Sequence, residues 1–332
     1  MKLVFKYLFS SINFIYDLVA FSLFKKKTSQ NSYSFFILLF CLTGGISNKI
    51  LDFILARKKR KLNSGIRKIN INDEKQAFFE LKKRGYFYIK HAICNKDILK
   101  IKKFILSLKG RYSDDKYVTK EGFKEKLNSI KPKAVRFLYD DNDLIECKEI
   151  QKILIDESLY KITSNYFGKE PILDGVTAWW SFPSENADSN AAQKWHFDLE
   201  RTKWLKIFIY LTDCDNKNGP HYFIESSHKD FGIPFSIRKN GYKRVEDNEI
   251  KINYNSKNIK CFTSKQGGVL IEDTRGLHKG QNVKSGSRLI LQLQYTTNFF
   301  NNFDRKIKFS KNFDKSFKKY KITNPYFFSN FQ

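Results

Sequence analysis

The chain has 332 residues, enough for one large domain with additions or for two small ones. Against 34 acidic residues stand 61 Lys and Arg, and the resulting formal charge of +27 favours acidic partners: phosphorylated metabolites, anionic membrane surfaces or nucleic acid, although a compositional bias toward Lys produces the same total. Five cysteines, odd in number, far apart and without a Cys-x-x-Cys pair, argue against a disulfide framework and a structural zinc site, and point to a reducing, cytoplasmic setting.

Residues 1–60 form a helical extension of their own. Leu3 to Phe24 is apolar but interrupted by Lys6, Asn13 and Asp17, and Ser34 to Ile46 is a second apolar run. Neither offers the roughly 20 unbroken apolar residues of a spanning helix. No small-residue cleavage site follows the first run, so a secretory signal is not expected. Two readings stay open. The runs are two helices that cover a face of the domain or pack in a dimer. Alternatively they make peripheral contact with the inner face of a membrane, helped by Lys25-Lys26-Lys27 and Arg57-Lys58-Lys59-Arg60-Lys61.

From Asp73 to about residue 300 the pattern is that of a globular domain. Glu74 to Arg84 reads as a helix and Gly85 to Ile89 as a short strand; Ile98, Ile101, Ile105 and Leu108 mark a second helix. Gly110 to Lys131 is polar without a clear period and reads as a loop or lid. Ala134 to Leu138 is strand-like, and Asn142 to Phe167 reads as a helix pair closed by Gly168. After Pro171 come short strands: Ile172 to Phe182, Leu205 to Thr212, His221 to Ile224, Ile259 to Phe262, Gly268 to Glu272 and Arg288 to Thr296. Helices followed by short strands predict an α+β domain on a jelly roll or barrel. The basic tail 301–332 lacks strand alternation and is expected to pack irregularly or stay mobile.

The chemistry concentrates in Trp195-His196-Phe197-Asp198, in His278 and in Arg288. A two-residue step along a strand puts His196 and Asp198 on one face. His278 follows 82 residues later (278 − 196) and must come from a strand brought alongside. Two imidazoles and a carboxylate on one face of Fe(II) leave the opposite positions open. Arg288, on the last strand with Ile290 and Gln292, buries a cation inside a barrel, which is tolerable only if an anion pairs with it. A guanidinium holds a carboxylate by two prongs.

In this order the residues resemble the phytanoyl-CoA dioxygenase family of Fe(II)- and 2-oxoglutarate-dependent oxygenases. The resemblance also rests on Leu211-Thr212-Asp213, Asn218-Gly219-Pro220, Glu225-Ser226-Ser227-His228-Lys229 and Gly280, and covers roughly residues 75–300. It implies a double-stranded β-helix with flanking helices, iron held by His196, Asp198 and His278, and the distal carboxylate of 2-oxoglutarate held by Arg288. Arg136, in Val135-Arg136-Phe137, matches an upstream basic residue that some members use for the cosubstrate. The activity implied is hydroxylation, with O2, of a small or lipid-like metabolite, coupled to decarboxylation of 2-oxoglutarate to succinate and CO2. Ser226 departs from the family, which commonly has Gly there. The presence of Asp198 disfavours halogenation.

Other readings remain beside this one. An inert jelly-roll binding protein would not need the intact set of four. A nucleic-acid oxygenase would need a compact basic stripe with stacking aromatics, and the lysines here are dispersed. A membrane-associated oxygenase of lipid-linked or glycan precursors would use residues 1–60. His221 looks into the pocket or packs beside it, His228 is a turn residue, and Lys206 faces either cosubstrate or solvent. Substrate recognition is expected in Gly110–Lys131 and Ser236–Asn258.

Overall fold

The computed structural model describes residues 2–59, 65–71, 73–301, 307–308 and 313–331, with side chains described from residue 10 onward. Three helices open the chain, α1 (Lys2–Phe24), α2 (Gln30–Thr43) and α3 (Ile46–Leu55). There are three where two apolar runs predict two, because Gly44 and Gly45 take φ of 61° and 105° and end the second run. Such angles are open to glycine and costly for most side chains. Buried Asp17 of α1 clips the start of α2, accepting from the Ser29 backbone N–H and Oγ at 2.7 Å each and from the Ser32 hydroxyl.

These helices turn one face inward. Phe14 and Phe21 each meet the edge of Phe300 at 5.6 Å, and Phe40 stacks on Phe197 at 5.5 Å. Each such buried ring stabilises the packing by about 1.5–3 kcal/mol. Asn48 Nδ2 donates to the Thr202 carbonyl at 3.3 Å, and Asp52 accepts from Thr297 Oγ1. The face opposite to Phe197 carries His196 and Asp198, so the N-terminal helices brace the segment on which those two side chains stand. Among the described residues, no helix is long and apolar enough to cross a membrane.

Next come α4 (Glu74–Arg84), β1 (Tyr86–Ile89), α5 (Asn95–Ser107), β2 (Lys109–Tyr112), β3 (Glu125–Lys126), β4 (Arg136–Tyr139), α6 (Asp141–Leu144), α7 (Lys148–Leu154) and α8 (Glu157–Phe167). The aperiodic stretch 110–131 contains strand at both ends, since β2 and β3 pair at the sheet margin. The expected helix pair is three helices. Asp156 breaks the run, accepting from the backbone N–H of Lys68, Ile69 and Leu159 instead of continuing a helix.

The remaining elements are β5 (Ile172–Ser181), β6 (Leu205–Tyr210), β7 (His221–Ile224), α9 (Phe235–Arg238), α10 (Asp247–Asn253), β8 (Ile259–Phe262), β9 (Val269–Glu272), β10 (His278–Gly280), β11 (Arg288–Thr296) and α11 (Lys315–Thr323). The larger sheet runs β1-β9-β6-β11-β5-β4-β2-β3 and the smaller β10-β7-β8, to which residues 195–198 add through the His196–His278 pairing. From β5 onward the chain passes back and forth between the sheets. β5, β6, β9 and β11 lie in the larger one, and residues 195–198, β7, β8 and β10 in the smaller. That winding is a double-stranded β-helix, an α+β jelly roll.

Alternation along the strands gives the larger sheet two apolar faces. Val176, Ala178, Ile207, Ile209, Leu289 and Leu291 pack outward against the helical layer, including Ile98, Ile101, Ile150 and Ile162. Trp179, Phe208, Tyr210 and Ile290 point inward and meet Phe223 and Phe262 of the smaller sheet. The tail departs from expectation, since α11 buries Phe317 and Tyr320, and Phe327 packs 6.0 Å from Tyr295. Lysines between those rings hide a helical spacing, and Asp314 caps the helix through the Ser316 N–H at 3.0 Å.

Candidate metal centre

His196 and His278 exchange both backbone hydrogen bonds, His196 N–H to His278 O at 3.0 Å and the reverse at 2.9 Å. The ladder sets their rings 4.2 Å apart. Asp198 follows on the same face of its segment, its N–H on Thr274 O at 2.8 Å. One ligand atom from each of the three lies within 4.8 Å of the others, and their exposures are 6%, 4% and 3% in the order His196, His278, Asp198. The set is a two-histidine, one-carboxylate facial triad.

The backbone decides how the imidazoles are presented. Nδ1 of His196 lies 2.9 Å from Lys194 O and Nδ1 of His278 lies 2.9 Å from Gly276 O. A carbonyl only accepts, so each Nδ1 carries the hydrogen and each Nε2 keeps its lone pair for an ion. His278 Nε2 is 3.8 Å from Asp198 Oδ2. Burial pushes His196 well below the usual imidazole range and His278 below it, so both rings are neutral at pH 7. Burial also pushes Asp198 upward, but the ammonium of Lys206 outweighs it and holds the carboxyl well below its ordinary value. Two neutral imidazole nitrogens and one ionised carboxylate suit Fe(II) and leave half of an octahedron free.

Lys206 faces inward: its Nζ is 2.6 Å from Asp198 Oδ2. Opposite it in the β6–β9 register stands Glu272, fully buried and unassigned by the sequence reading. Its signal was the step from Leu270 to Glu272 on the inner face. Burial raises the Glu272 carboxyl to about 8 and lowers His221 to about 3. His221 Nε2 lies 2.8 Å from Glu272 Oε2, and its ring is 5.8 Å from that of His278 and 4.9 Å from that of Phe208, so His221 packs beside the triad. At neutral pH a neutral acid faces a neutral imidazole. An unfolded chain releases the Glu272 proton near 4.5, before the folded chain does, so metal-free stability should fall as pH rises from there through about 8. In thermal denaturation, Glu272→Gln should gain on the parent across that window, by on the order of a few kcal/mol at its upper end. A gap independent of pH would refute the raised carboxyl.

Arg288 and Arg136 both stand opposite Ser181, one on each side of β5, and so share the inner face. Arg288 is buried, reaches Ser181 Oγ only at 3.5 Å, and has an Nε without a hydrogen-bond partner. The guanidinium of Arg136 lies 4.3 Å from the centre of Trp179, and its Nε is likewise unpartnered. Burial, then the charge of Arg288, brings Arg136 down to about 10. Two buried guanidiniums thus flank β5 with no carboxylate bonded to either among the described residues, an arrangement that an anion would complement.

Residues 236–258 contribute Tyr242, whose hydroxyl donates to Glu200 Oε1 at 3.0 Å, and Arg244, brought alongside His196 by the Val245–Trp195 bridge. Residues 110–131 meet the loop before the triad, where Asp115 accepts from the N–H groups of Ser189 and Asn190. His228 is a turn residue outside the triad. Ser226, where the resemblance has Gly, takes φ of 69°, and the cost is offset by Ser226 N–H on Arg84 O at 2.8 Å and Oγ on Lys83 O at 2.9 Å.

No family model matches the chain, and no curated protein matches it. Solved structures similar to it include HygX from Streptomyces hygroscopicus with nickel and 2-oxoglutarate bound, 12% identical over 71% of this chain and 90% of that one, with a TM-score of 0.49. EvdO2 from Micromonospora carbonacea var. aurantiaca is 13% identical over 70% and 94%, with a TM-score of 0.48. EctD from S. alaskensis with 2-oxoglutarate and 5-hydroxyectoine is 17% identical over 73% and 83%, with a TM-score of 0.47. These scores lie under 0.5, and the double-stranded β-helix stands on strand order and register instead.

Proposed function

We propose that the protein is an Fe(II)- and 2-oxoglutarate-dependent dioxygenase that hydroxylates a small or lipid-like metabolite. The observation that carries this reading is the facial triad with both Nδ1 atoms tied to carbonyls, which leaves both Nε2 atoms for a metal. Bound Fe(II), with 2-oxoglutarate and O2, supplies the oxidation, yielding succinate and CO2 along with the hydroxylated product. His196, Asp198 and His278 hold the ion. Lys206 keeps Asp198 ionised. Arg288, with Arg136 beside it, binds the distal carboxylate of the cosubstrate. Trp179, Phe208 and Ile290 exclude water from the space between the sheets. A jelly roll that only bound a ligand would have no use for imidazoles oriented in this way.

The test is succinate release with Fe(II) and 2-oxoglutarate. Even without substrate the parent should produce it slowly, and His278→Ala should not. A parent that neither releases succinate nor binds Co(II) would exclude the reading. Peripheral contact of residues 1–60 with a membrane belongs to the same proposal, supported by apolar side chains that α1 and α3 leave in solvent.

A further inference from the structure

Half of the 22 large apolar side chains exposed among the described residues lie between Ile12 and Ile54. They are arranged in stripes. On α1, Ile12, Ile15, Tyr16, Val19 and Leu23 recur at the spacing of one helical face, and Leu23 is 68% exposed. On α3, Ile46, Ile50, Phe53 and Ile54 do the same, and Phe53 is 76% exposed. The opposite faces are the ones that pack on the domain, so the stripes are what remains after the core has been filled. Apolar surface of this extent on a soluble face marks a contact site.

Charge says what makes that contact. Between residues 10 and 59 there are seven basic residues, Lys25, Lys26, Lys27, Lys49, Arg57, Lys58 and Lys59, and two acids, Asp17 and Asp52. Both acids are buried and hydrogen-bonded inside the protein. Lys49 is paired with Asp230 and Arg57 with Glu170, so the cationic character of this face rests on the exposed Lys25, Lys26 and Lys27 that follow α1. Lys25, Lys26 and Lys27 stand at the end of α1, beside Leu55 at the end of α3, around a cavity of about 400 Å³ with apolar walls at Phe21, Leu55 and Phe299. An apolar face rimmed by ammonium groups complements the layered chemistry of an anionic bilayer, with acyl chains against the stripes and headgroup phosphates against the lysines. A second copy of the chain would bring the same positive rim against itself.

We propose that the exposed faces of α1 and α3, together with Lys25, Lys26 and Lys27, seat the protein on an anionic membrane surface. The inference deepens the peripheral contact proposed above by naming its face and the sign of the lipid charge. It also keeps the metal centre close to the bilayer, because α2, packed against α1 and α3, stacks Phe40 on Phe197, between His196 and Asp198. That position suits a substrate handed over from the lipid phase.

The experiment is co-sedimentation of the full chain with vesicles of phosphatidylcholine alone and of phosphatidylcholine mixed with phosphatidylglycerol. Binding is expected to the mixed vesicles and to weaken with salt. Each lysine near an anionic surface is worth about a factor of five, so Lys25→Gln, Lys26→Gln and Lys27→Gln together should weaken binding on the order of a hundredfold. Val19→Glu with Phe53→Glu should abolish it while circular dichroism and Co(II) affinity stay those of the parent. No binding to the mixed vesicles, or equal binding by the Glu variant, overturns the inference. So does a dimer that the Glu variant dissociates with no vesicle binding by the parent, since the face would then join two copies. Co(II) affinity and succinate release, measured on the same preparations, report separately on the dioxygenase reading.

Discussion

Asp198→Ala is expected to leave no measurable Co(II) binding and no Fe(II)-dependent succinate release, and also to lower the stability of the metal-free protein by about 3–5 kcal/mol. The first effect follows from removing the only anionic ligand of the triad. The second follows from Lys206, whose ammonium lies 2.6 Å from Asp198 Oδ2 with 14% of its side chain exposed. Removing one member of a buried ion pair strands the other. Adding Lys206→Met to Asp198→Ala should therefore recover most of the lost stability in urea denaturation and none of the metal binding. A single variant that binds Co(II) like the parent would dismiss the triad. A double variant no more stable than the single one would dismiss the ion pair as the cause.

Arg288→Gln should weaken 2-oxoglutarate binding on the order of a hundred- to a thousandfold, the usual loss when one partner of a buried charge pair is cut away. Co(II) affinity without the cosubstrate should not move, because Arg288 stands on β11 and supplies no ligand atom. Arg136→Gln should cost about tenfold, since Arg136 shares the anion but also spends its charge on the face of Trp179. Ser181→Ala should change little, its 3.5 Å contact being too long for a strong hydrogen bond. Each value is read by calorimetric titration of the Co(II)-loaded protein. The ligand-free Arg288→Gln protein should also melt higher than the parent, because it no longer confines two like charges beside each other. Unchanged 2-oxoglutarate affinity in Arg288→Gln would move the anion site elsewhere.

The order of charges around the triad explains why part of the site was legible and part was not. His196 and Asp198 could be placed on one face from a strand period of two. Arg288 could be placed on one strand face with Ile290 and Gln292 from the same period of two. Glu272 and Lys206 obey the same alternation, yet a lone acid or lysine in a strand reads equally well as a solvent-facing residue. Only the β6–β9 register, which sets them opposite each other and next to Asp198, separates the two readings. Arg136 was matched only loosely by sequence; its place beside Arg288 depends on both strands flanking Ser181.

The chain by itself specified its local periods: helices where apolar residues recur every three or four positions, short inward- and outward-facing strands, a His-x-Asp step, and an arginine that must meet an anion if buried. Those properties depend on neighbours in sequence, whose geometry is set by the backbone. Tertiary structure alone decided which distant residues share a space. It brought His278 against His196, turned both Nε2 atoms toward Asp198, and made Glu272 neutral. It laid the N-terminal helices against Phe197 and drew the tail into the core. The physical reason is that strand pairing and burial are non-local, and the desolvation that sets charge and hydrogen position in this centre exists only once the two sheets have closed over it.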